Sequence, residues 1–459
     1  MKTPATKTQA AGHGEADRII HVPRRYTSRE WGGTETVIQN LSRVQRAQGW
    51  RTEIATSQAL DARPSDCLDG TPVRRFRHRY PFLGLSAEAR AAMDKKGGNL
   101  ISLPLFWHLL RSRRVRLYHA HAIKRLGGMV RTAARWNRKP YVVTLHGGFF
   151  DMPEAEHEDL VEAGRGCFEW GKGVGALLGS RKVLNDADHV ICVGKAERDK
   201  ALDRLSHDRV SWLPNGVDFK KFTTGDGRRF RAAHDIPADA FVVLCVSRID
   251  SQKNQVSLVE AFARFLKQQP HSRLVLAGPC TQPAYQAKLT ALIDRLKLRD
   301  RVLLLPGFAN HDPSLADAFH AGDVFVLPSR HEPFGIVVLE AWSAGKPVIA
   351  SQVGGLKSLI VHGRNGLHYE SESDAAVEDL SAQLRRLAGS PNLRRQLAEA
   401  GRREARDEYS WTEIGRRQEE IYQAAEKRRA RSRDGSPKRF FELNRSAVSR
   451  TLKPGGSGA

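Results

Sequence analysis

The chain has 459 residues, more than one hydrophobic core usually serves, so at least two domains are expected. With 40% hydrophobic and 27% charged residues it is too apolar for disorder, and its scattered Gly and Pro exclude collagen and coiled coil. The formal charge of +23 is uneven: residues 74–139 hold 17 Lys and Arg against 2 Asp and Glu, while residues 217–426 are nearly balanced at 28 against 26. The last 33 residues hold 10 against 2, so an anionic partner is expected at the first half and the tail.

In chain order, residues 1–16 are polar and read as a disordered tail, and nothing in the first thirty residues forms the apolar core of an export signal. Arg18 to Val22 reads as a strand leading to Trp31-Gly32-Gly33-Thr34-Glu35 and an amphipathic run from Val37 to Val44. Gly32 and Gly33 permit close backbone approach at a helix start; the pattern is not Gly-x-Gly-x-x-Gly, so no dinucleotide cofactor is expected. Arg51 to Thr56, Leu117 to His121, Tyr141 to Leu145 and His189 to Val193 complete the strands of the first half.

Within the basic run, Phe106-Trp107-His108-Leu109-Leu110 stands beside Arg111-Ser112-Arg113-Arg114. This pairs apolar insertion with charge and suits an anionic membrane surface, with a plain solvated face as the alternative. Lys438-Arg439-Phe440-Phe441 repeats the chemistry in the tail, and no nucleic-acid-binding motif accompanies the charge. If their strand continues, His119 and His121 point to opposite faces and are poor metal partners. Asp186-Ala187-Asp188 precedes a strand, the wrong end for a metal-binding carboxylate pair at a sheet's carboxyl edge, so no metal is expected.

The turn-rich Leu213-Pro214-Asn215-Gly216 marks the join between units spanning 17–215 and 216–410. In the second, Phe241 to Val246, Arg273 to Ala277, Val302 to Leu305, Val324 to Leu327 and Pro347 to Ala350 read as strands. Both halves have the alternation of an α/β fold, two doubly wound Rossmann-like domains with ligands expected beyond the strands' carboxyl ends. The longest apolar runs fall far below the roughly 18 residues of a membrane span. The five cysteines, Cys67, Cys167, Cys192, Cys245 and Cys280, are widely spaced without Cys-x-x-Cys and read as reduced cytosolic thiols.

Two segments of the second half carry chemistry. Val246 to Asn254 ends a strand in a loop bearing Arg248 and Lys253, two cations able to neutralise a leaving diphosphate. Pro328 to Glu340 follows a strand and opens a helix, with Pro333 and Gly335 at the turn; N–H groups around Phe334, Gly335 and Ile336 would face an anion. At helical rise, Glu332 and Glu340 stand on the order of 12 Å apart, suiting a sugar at one end and a ribose at the other.

With these pieces in order, the sequence resembles the retaining two-Rossmann (GT-B) glycosyltransferases of family four over roughly residues 18–425. Its carriers are Gly32-Gly33, His119-Ala120-His121, Thr144-Leu145-His146-Gly147, Pro214-Asn215-Gly216-Val217-Asp218, Arg248 with Lys253, and Glu332-Pro333-Phe334-Gly335 with Glu340. The resemblance implies that Glu332 and His146 line the sugar pocket, Glu340 binds the ribose, Arg248 and Lys253 bind the diphosphate, and Gly33 approaches the distal phosphate. It also implies that a last helix, about 411–428 after Tyr409-Ser410-Trp411, crosses back to the first domain. Asn254 stands where the family often has Gly, and the insert from Phe149 to Lys182 is long and Gly-rich. Residues 430–459 read as a second disordered tail.

The expected activity is transfer of a hexosyl group from a UDP- or GDP-sugar to a hydroxyl of a lipid-linked or polysaccharide precursor. Retention of configuration, no metal and no cofactor are implied, at the cytoplasmic face of the cell membrane. Two alternatives are a GT-B-like epimerase or phosphorylase, and a non-catalytic polyanion-binding protein on the same scaffold.

Overall fold

The computed structural model describes residues 18–28, 31–147, 167–308 and 312–434. Its first strands are β1 (Arg18–Val22), β2 (Arg51–Ser57), β3 (Ser65–Leu68), β4 (Thr71–Phe76), β5 (Phe82–Leu83), β6 (Val115–Ala120), β7 (Tyr141–Leu145), β8 (Phe168–Glu169), β9 (His189–Cys192) and β10 (Val210–Trp212). All but β5 and β8 form one sheet in the order β10-β9-β7-β6-β1-β2-β4-β3, parallel except at β3–β4; β5 and β8 pair separately. The second sheet, entirely parallel, joins β11 (Phe241–Val246), β12 (Ser272–Ala277), β13 (Val302–Leu305), β14 (Val324–Leu327), β15 (Val348–Ser351) and β16 (Leu367–Tyr369) in the order β13-β12-β11-β14-β15-β16.

Each order reverses at a central strand, beside β1 in the first sheet and β11 in the second, which opens a crevice at the carboxyl end. Helices cover both faces, which is why the central strands read as unbroken apolar runs. Val242 and Leu244 of β11 pack into one layer while Val243 and Cys245 pack into the other. Ten strands follow the expected runs within a few residues; β3, β4, β5, β8, β10 and β16 carry no comparable run and were not anticipated.

The helix Trp411–Asp434 returns to the first sheet, where Trp411, Ile414, Ile421, Tyr422 and Ala425 share a core with Ile19, Val37, Leu117, Val142 and Ile191. It is fastened by Arg116, whose buried guanidinium lies 3.7 Å from the Trp50 ring centre and pairs with Glu419 at 2.6 Å and Glu426 at 2.8 Å. The two chain crossings lie side by side: Val217 N–H donates to Tyr409 O at 2.8 Å, and Trp411 N–H to Val217 O at 3.3 Å.

Several expectations are revised by the structure. The strand expected over Leu117 to His121 runs from Val115 to Ala120, and His119 and His121 do not face opposite sides as expected: residues two apart along a strand share a face, and the two ring centres lie 4.1 Å apart. Much of the basic run is neutralised internally: Arg75 reaches Asp61 at 3.4 Å, Arg125 pairs with Glu169, Arg131 with Asp186, and Arg116 with the glutamates just named. Its formal charge therefore overstates the surface charge. The Asp186 and Asp188 carboxylates are held structurally, Asp188 accepting from Tyr141 N–H at 2.9 Å. Of the insert, residues 149–166 lie outside the described residues, as do residues 1–16 and 435–459 with Lys438 to Phe441, whereas residues 430–434, expected to be disordered, continue the last helix, which runs to Asp434 rather than to about 428. No helix among the described residues is long and apolar enough to cross a membrane.

Candidate functional site

The crevices of the two sheets face one another, and the turn Glu332–Gly335 is where they meet. β14 runs Val-Phe-Val-Leu, fully buried, and delivers the chain at its carboxyl end to Ser329 and Glu332. Gly335 adopts φ 95°, ψ 53°, a left-handed conformation suited to Gly, and caps the helix Ile336–Ser343 with no side chain bonded to its first N–H groups. The helix thus opens at Ile336, later than expected. Glu332 stands in the preceding turn and only the Ile336-to-Glu340 part of the span follows helical rise, so the 12 Å estimate does not hold over its whole length.

Glu332 is paired with Lys253: Nζ donates to Oε2 at 2.7 Å, with both side chains 12% exposed. Lys253 comes from the loop after β11, which is pinned to the Glu332 loop where Arg330 N–H donates to Gln252 O at 2.8 Å. Arg248 in the same loop is half exposed, 3.3 Å from Asp250 and donating to Gln252 Oε1 at 2.9 Å. Asn254 has φ 53°, so this position requires left-handed backbone, and Asn is the side chain that tolerates it best.

The first domain closes against this turn. Gly147 has φ +94°, and a Cβ there would stand 2.3 Å from Pro333 Cβ; Gly194 lies beside Pro333 O. A Cβ on Gly33, the first residue of the helix Gly33–Ala47, would stand 3.7 Å from Ile336 Cδ1 across the cleft, and Gly32 is extended rather than left-handed. Gly32 offers that helix start no side-chain cap, and the buried Glu35 carboxylate of the first turn accepts from the N–H groups of Glu35 and Gly32. Arg43 pairs with Asp218 at 3.0 Å.

Glu340 and Ile336 line a cavity of about 200 Å3 with Thr36, Asn40, Arg43 and Lys221. Burial pushes the Glu340 carboxyl up to about 7, against the opposing charge of Lys221. The anticipated residues therefore fall into two groups, Glu332, Lys253 and Arg248 at one end of the Glu332–Glu340 segment and Glu340 with the cavity at the other. Gly354 and Gly355 were not anticipated: a Cβ on Gly355 would stand 2.2 Å from Pro333 O, so this pair lets the loop after β15 nest under the turn.

His146 closes a chain of imidazoles. Its Nε2 lies 2.9 Å from His121 Nδ1, His121 Nε2 lies 2.9 Å from His21 Nδ1, and His21 Nε2 lies 2.8 Å from Gln45 Oε1. Gln45 Nε2 donates to Tyr422 Oη at 3.1 Å and Gln418 Oε1 at 3.3 Å. His119 Nδ1 meets Tyr422 Oη at 2.8 Å, and its Nε2 meets Thr144 Oγ1 at 2.7 Å. Burial lowers His21 and His146 to about 4 and His119 and His121 well below the ordinary value, so all four rings are neutral near pH 7. His21, His119 and His121 bring ring nitrogens within 4.8 Å of one another, a spacing open to a metal ion, but both nitrogens of every one of these rings are engaged in hydrogen bonds.

Family models match both halves: glycosyltransferase family 4 over residues 31–221 and glycosyl transferases group 1 over residues 226–404. The chain is 29% identical over 427 residues to D-inositol 3-phosphate glycosyltransferase of Kineococcus radiotolerans, covering 89% of this chain and 94% of that protein. Its counterpart in Streptomyces avermitilis is 32% identical over 66% of this chain and 64% of its own. Among solved structures, Anabaena HepE in complex with UDP and glucose superposes with a TM-score of 0.66 at 19% identity, over 89% of this chain and 99% of that one. Sucrose-phosphate synthase from Thermosynechococcus elongatus gives 0.66 at 21% identity, over 89% and 98%. With one family model on each half and the fold of two facing Rossmann-like domains, the chain belongs to the GT-B glycosyltransferases of the family-four type.

Proposed function

We propose that the chain transfers a hexosyl group, with retained anomeric configuration and without a metal, from a UDP- or GDP-sugar to a hydroxyl of an anionic acceptor. The reading rests chiefly on the Lys253–Glu332 pair standing at an uncapped helix start with Arg248 in the adjoining loop. The two cations and the helix N–H groups supply what a departing diphosphate requires, stabilisation of the charge that develops as the glycosidic bond breaks. Glu332 accepts from hydroxyls of the transferred sugar, His146 forms another wall of that pocket, and Glu340 in its cavity accepts from the ribose. Retention follows from attack on the face the diphosphate leaves, with no protein nucleophile. The UDP and glucose named for HepE and the inositol phosphate named for the curated relatives agree with a nucleotide sugar and an anionic hydroxyl acceptor.

For the acceptor we favour a lipid-linked or glycan precursor. Leu83, Leu103, Trp107, Trp136, Phe168 and Trp170 are large apolar side chains exposed on the first domain, and Arg111 stacks 4.9 Å from the Trp107 ring centre. Apolar insertion beside cations is the chemistry of peripheral attachment to an anionic, cytoplasmic membrane face. The test is a thermal-shift screen of nucleotide sugars, followed by transfer assays offering lipid-linked acceptors and inositol phosphate. Nucleoside diphosphate should be released only with acceptor present; release without acceptor, or transfer unaffected by Lys253→Ala and Glu332→Ala, would overturn the reading.

A further inference from the structure

The imidazole chain has a property beyond that reading. A neutral imidazole carries one N–H and one lone pair, so a hydrogen bond between two neutral rings fixes one ring's tautomer by the other's. In the arrangement of the structure, Gln45 turns its amide oxygen to His21, and its NH2 to Tyr422 and Gln418. The oxygen can only accept, so His21 carries its proton on Nε2 and offers a lone pair at Nδ1. That lone pair takes the proton of His121 Nε2, and the His121 Nδ1 lone pair takes the proton of His146 Nε2. His146 is left with a lone pair at Nδ1, an acceptor for a hydroxyl proton. The same logic closes the other branch: Tyr422 Oη accepts from Gln45 and donates to His119 Nδ1, so His119 donates from Nε2 to Thr144.

Turning the Gln45 amide over would reverse every proton in the first branch, from Nε2 to Nδ1 on all three rings, and make His146 Nδ1 a donor. The chain is therefore collective, and its only amide is the element that sets its sense. It cannot serve as an exit for protons, because it ends on an amide that takes none up. Burial keeps the three rings neutral, which removes the doubly protonated form that would break the pattern.

We infer that Gln45, held by Tyr422 and Gln418 of the returning helix, is a positioning residue that sets the ring tautomer of His146 through His21 and His121, so that Nδ1 accepts from a donor-sugar hydroxyl. The inference rests on reading His146 as a wall of the sugar pocket. Gln45 is 2% exposed and lies three residues beyond Ser42 on the core-facing side of its helix, so it acts only through the chain.

The test is 15N spectroscopy of the histidine rings in the full chain, which separates protonated from lone-pair nitrogen, with His146→Asn assigning the His146 signals. In the unaltered protein His21, His121 and His146 should share one tautomer, the proton on Nε2. Gln45→Met, close in shape but without polar atoms, should leave His146 divided between two tautomers and lower kcat about tenfold, with donor KM changed less than about twofold. Gln45→Glu, whose oxygens only accept when ionised, should restore the single tautomer and most of kcat. A single unchanged tautomer of His146 in Gln45→Met, or different tautomers among the three rings of the unaltered protein, would overturn the inference. The second measurement needs no variant to fold. If the tautomers behave as stated while no nucleotide sugar is turned over, the transferase site assignment fails and the tautomer chain stands.

Discussion

Glu340→Gln isolates the electrostatics of the cavity. Lifting a carboxyl from its ordinary 4.5 to about 7 corresponds to ~3 kcal/mol, at about 1.4 kcal/mol per pH unit. In the unfolded chain this carboxyl ionises at its ordinary value, whereas the folded protein keeps it protonated up to about 7. Stability from this group is therefore full below 4.5 and is lost as pH rises through 7. Glutamine is neutral throughout and removes that slope. Calorimetry at pH 5 and pH 8 should show the unaltered protein losing more stability than the variant, by on the order of 3 kcal/mol, or several degrees in Tm. A nucleoside diphosphate supplies the other arm: as the carboxylate forms, ribose hydroxyls gain a charged acceptor, so affinity should rise through pH 7 in the unaltered protein and stay weak and flat in Glu340→Gln. Parallel stability profiles, or undiminished affinity in the variant, would refute the placement of this carboxyl.

Lys253→Ala removes the partner of Glu332 and one cation beside the departing diphosphate; kcat should fall by about 100-fold or more, measured as nucleoside diphosphate release. Gly147→Ala puts a Cβ against Pro333 at a position with φ +94°, so Tm and transfer rate should fall together, whereas Gly173→Ala, where a Cβ meets nothing, should change neither. His21 and His146 are depressed to about 4, so their contribution to stability is full above 6.5 and lost as pH falls toward 4. Urea unfolding between pH 7 and 5 should show the slope, by up to ~1.4 kcal/mol per pH unit for each histidine, and His146→Asn should lessen it.

The donor half was legible because its signals are local. An apolar strand, then Glu332-Pro333-Phe334-Gly335 and a helix, names an anion site within a dozen residues, and Arg248 and Lys253 follow a strand in the same way. The imidazole chain was missed for two reasons: parallel pairing sets His21 beside His119 across about 100 residues of sequence, which no local pattern shows, and the two-residue strand period that puts His121 on the face of His119 was misread. Gln45 was equally hidden: a polar residue at a core-facing helix position reveals its role only with its partners, which lie on a helix more than 370 residues away. Thr36, Asn40 and Arg43 follow helical spacing and could have been read as a polar row, but their facing the cavity depends on the second domain.

The return of the last helix to the first sheet bears on how the protein is made. The first domain's strands are synthesised by residue 212, yet Gln45, His119 and Arg116 complete their sets of partners only when Tyr422, Gln418, Glu419 and Glu426 have been added. At about 5–20 residues per second, that interval is on the order of 10–40 s. Throughout it the nascent first domain holds polar groups awaiting partners and an uncovered face at Ile19, Val37, Leu117 and Val142. The second domain is meanwhile emerging, so its arrival and the sealing of the first become one event, and a chain stopped before residue 422 leaves the earlier half incomplete.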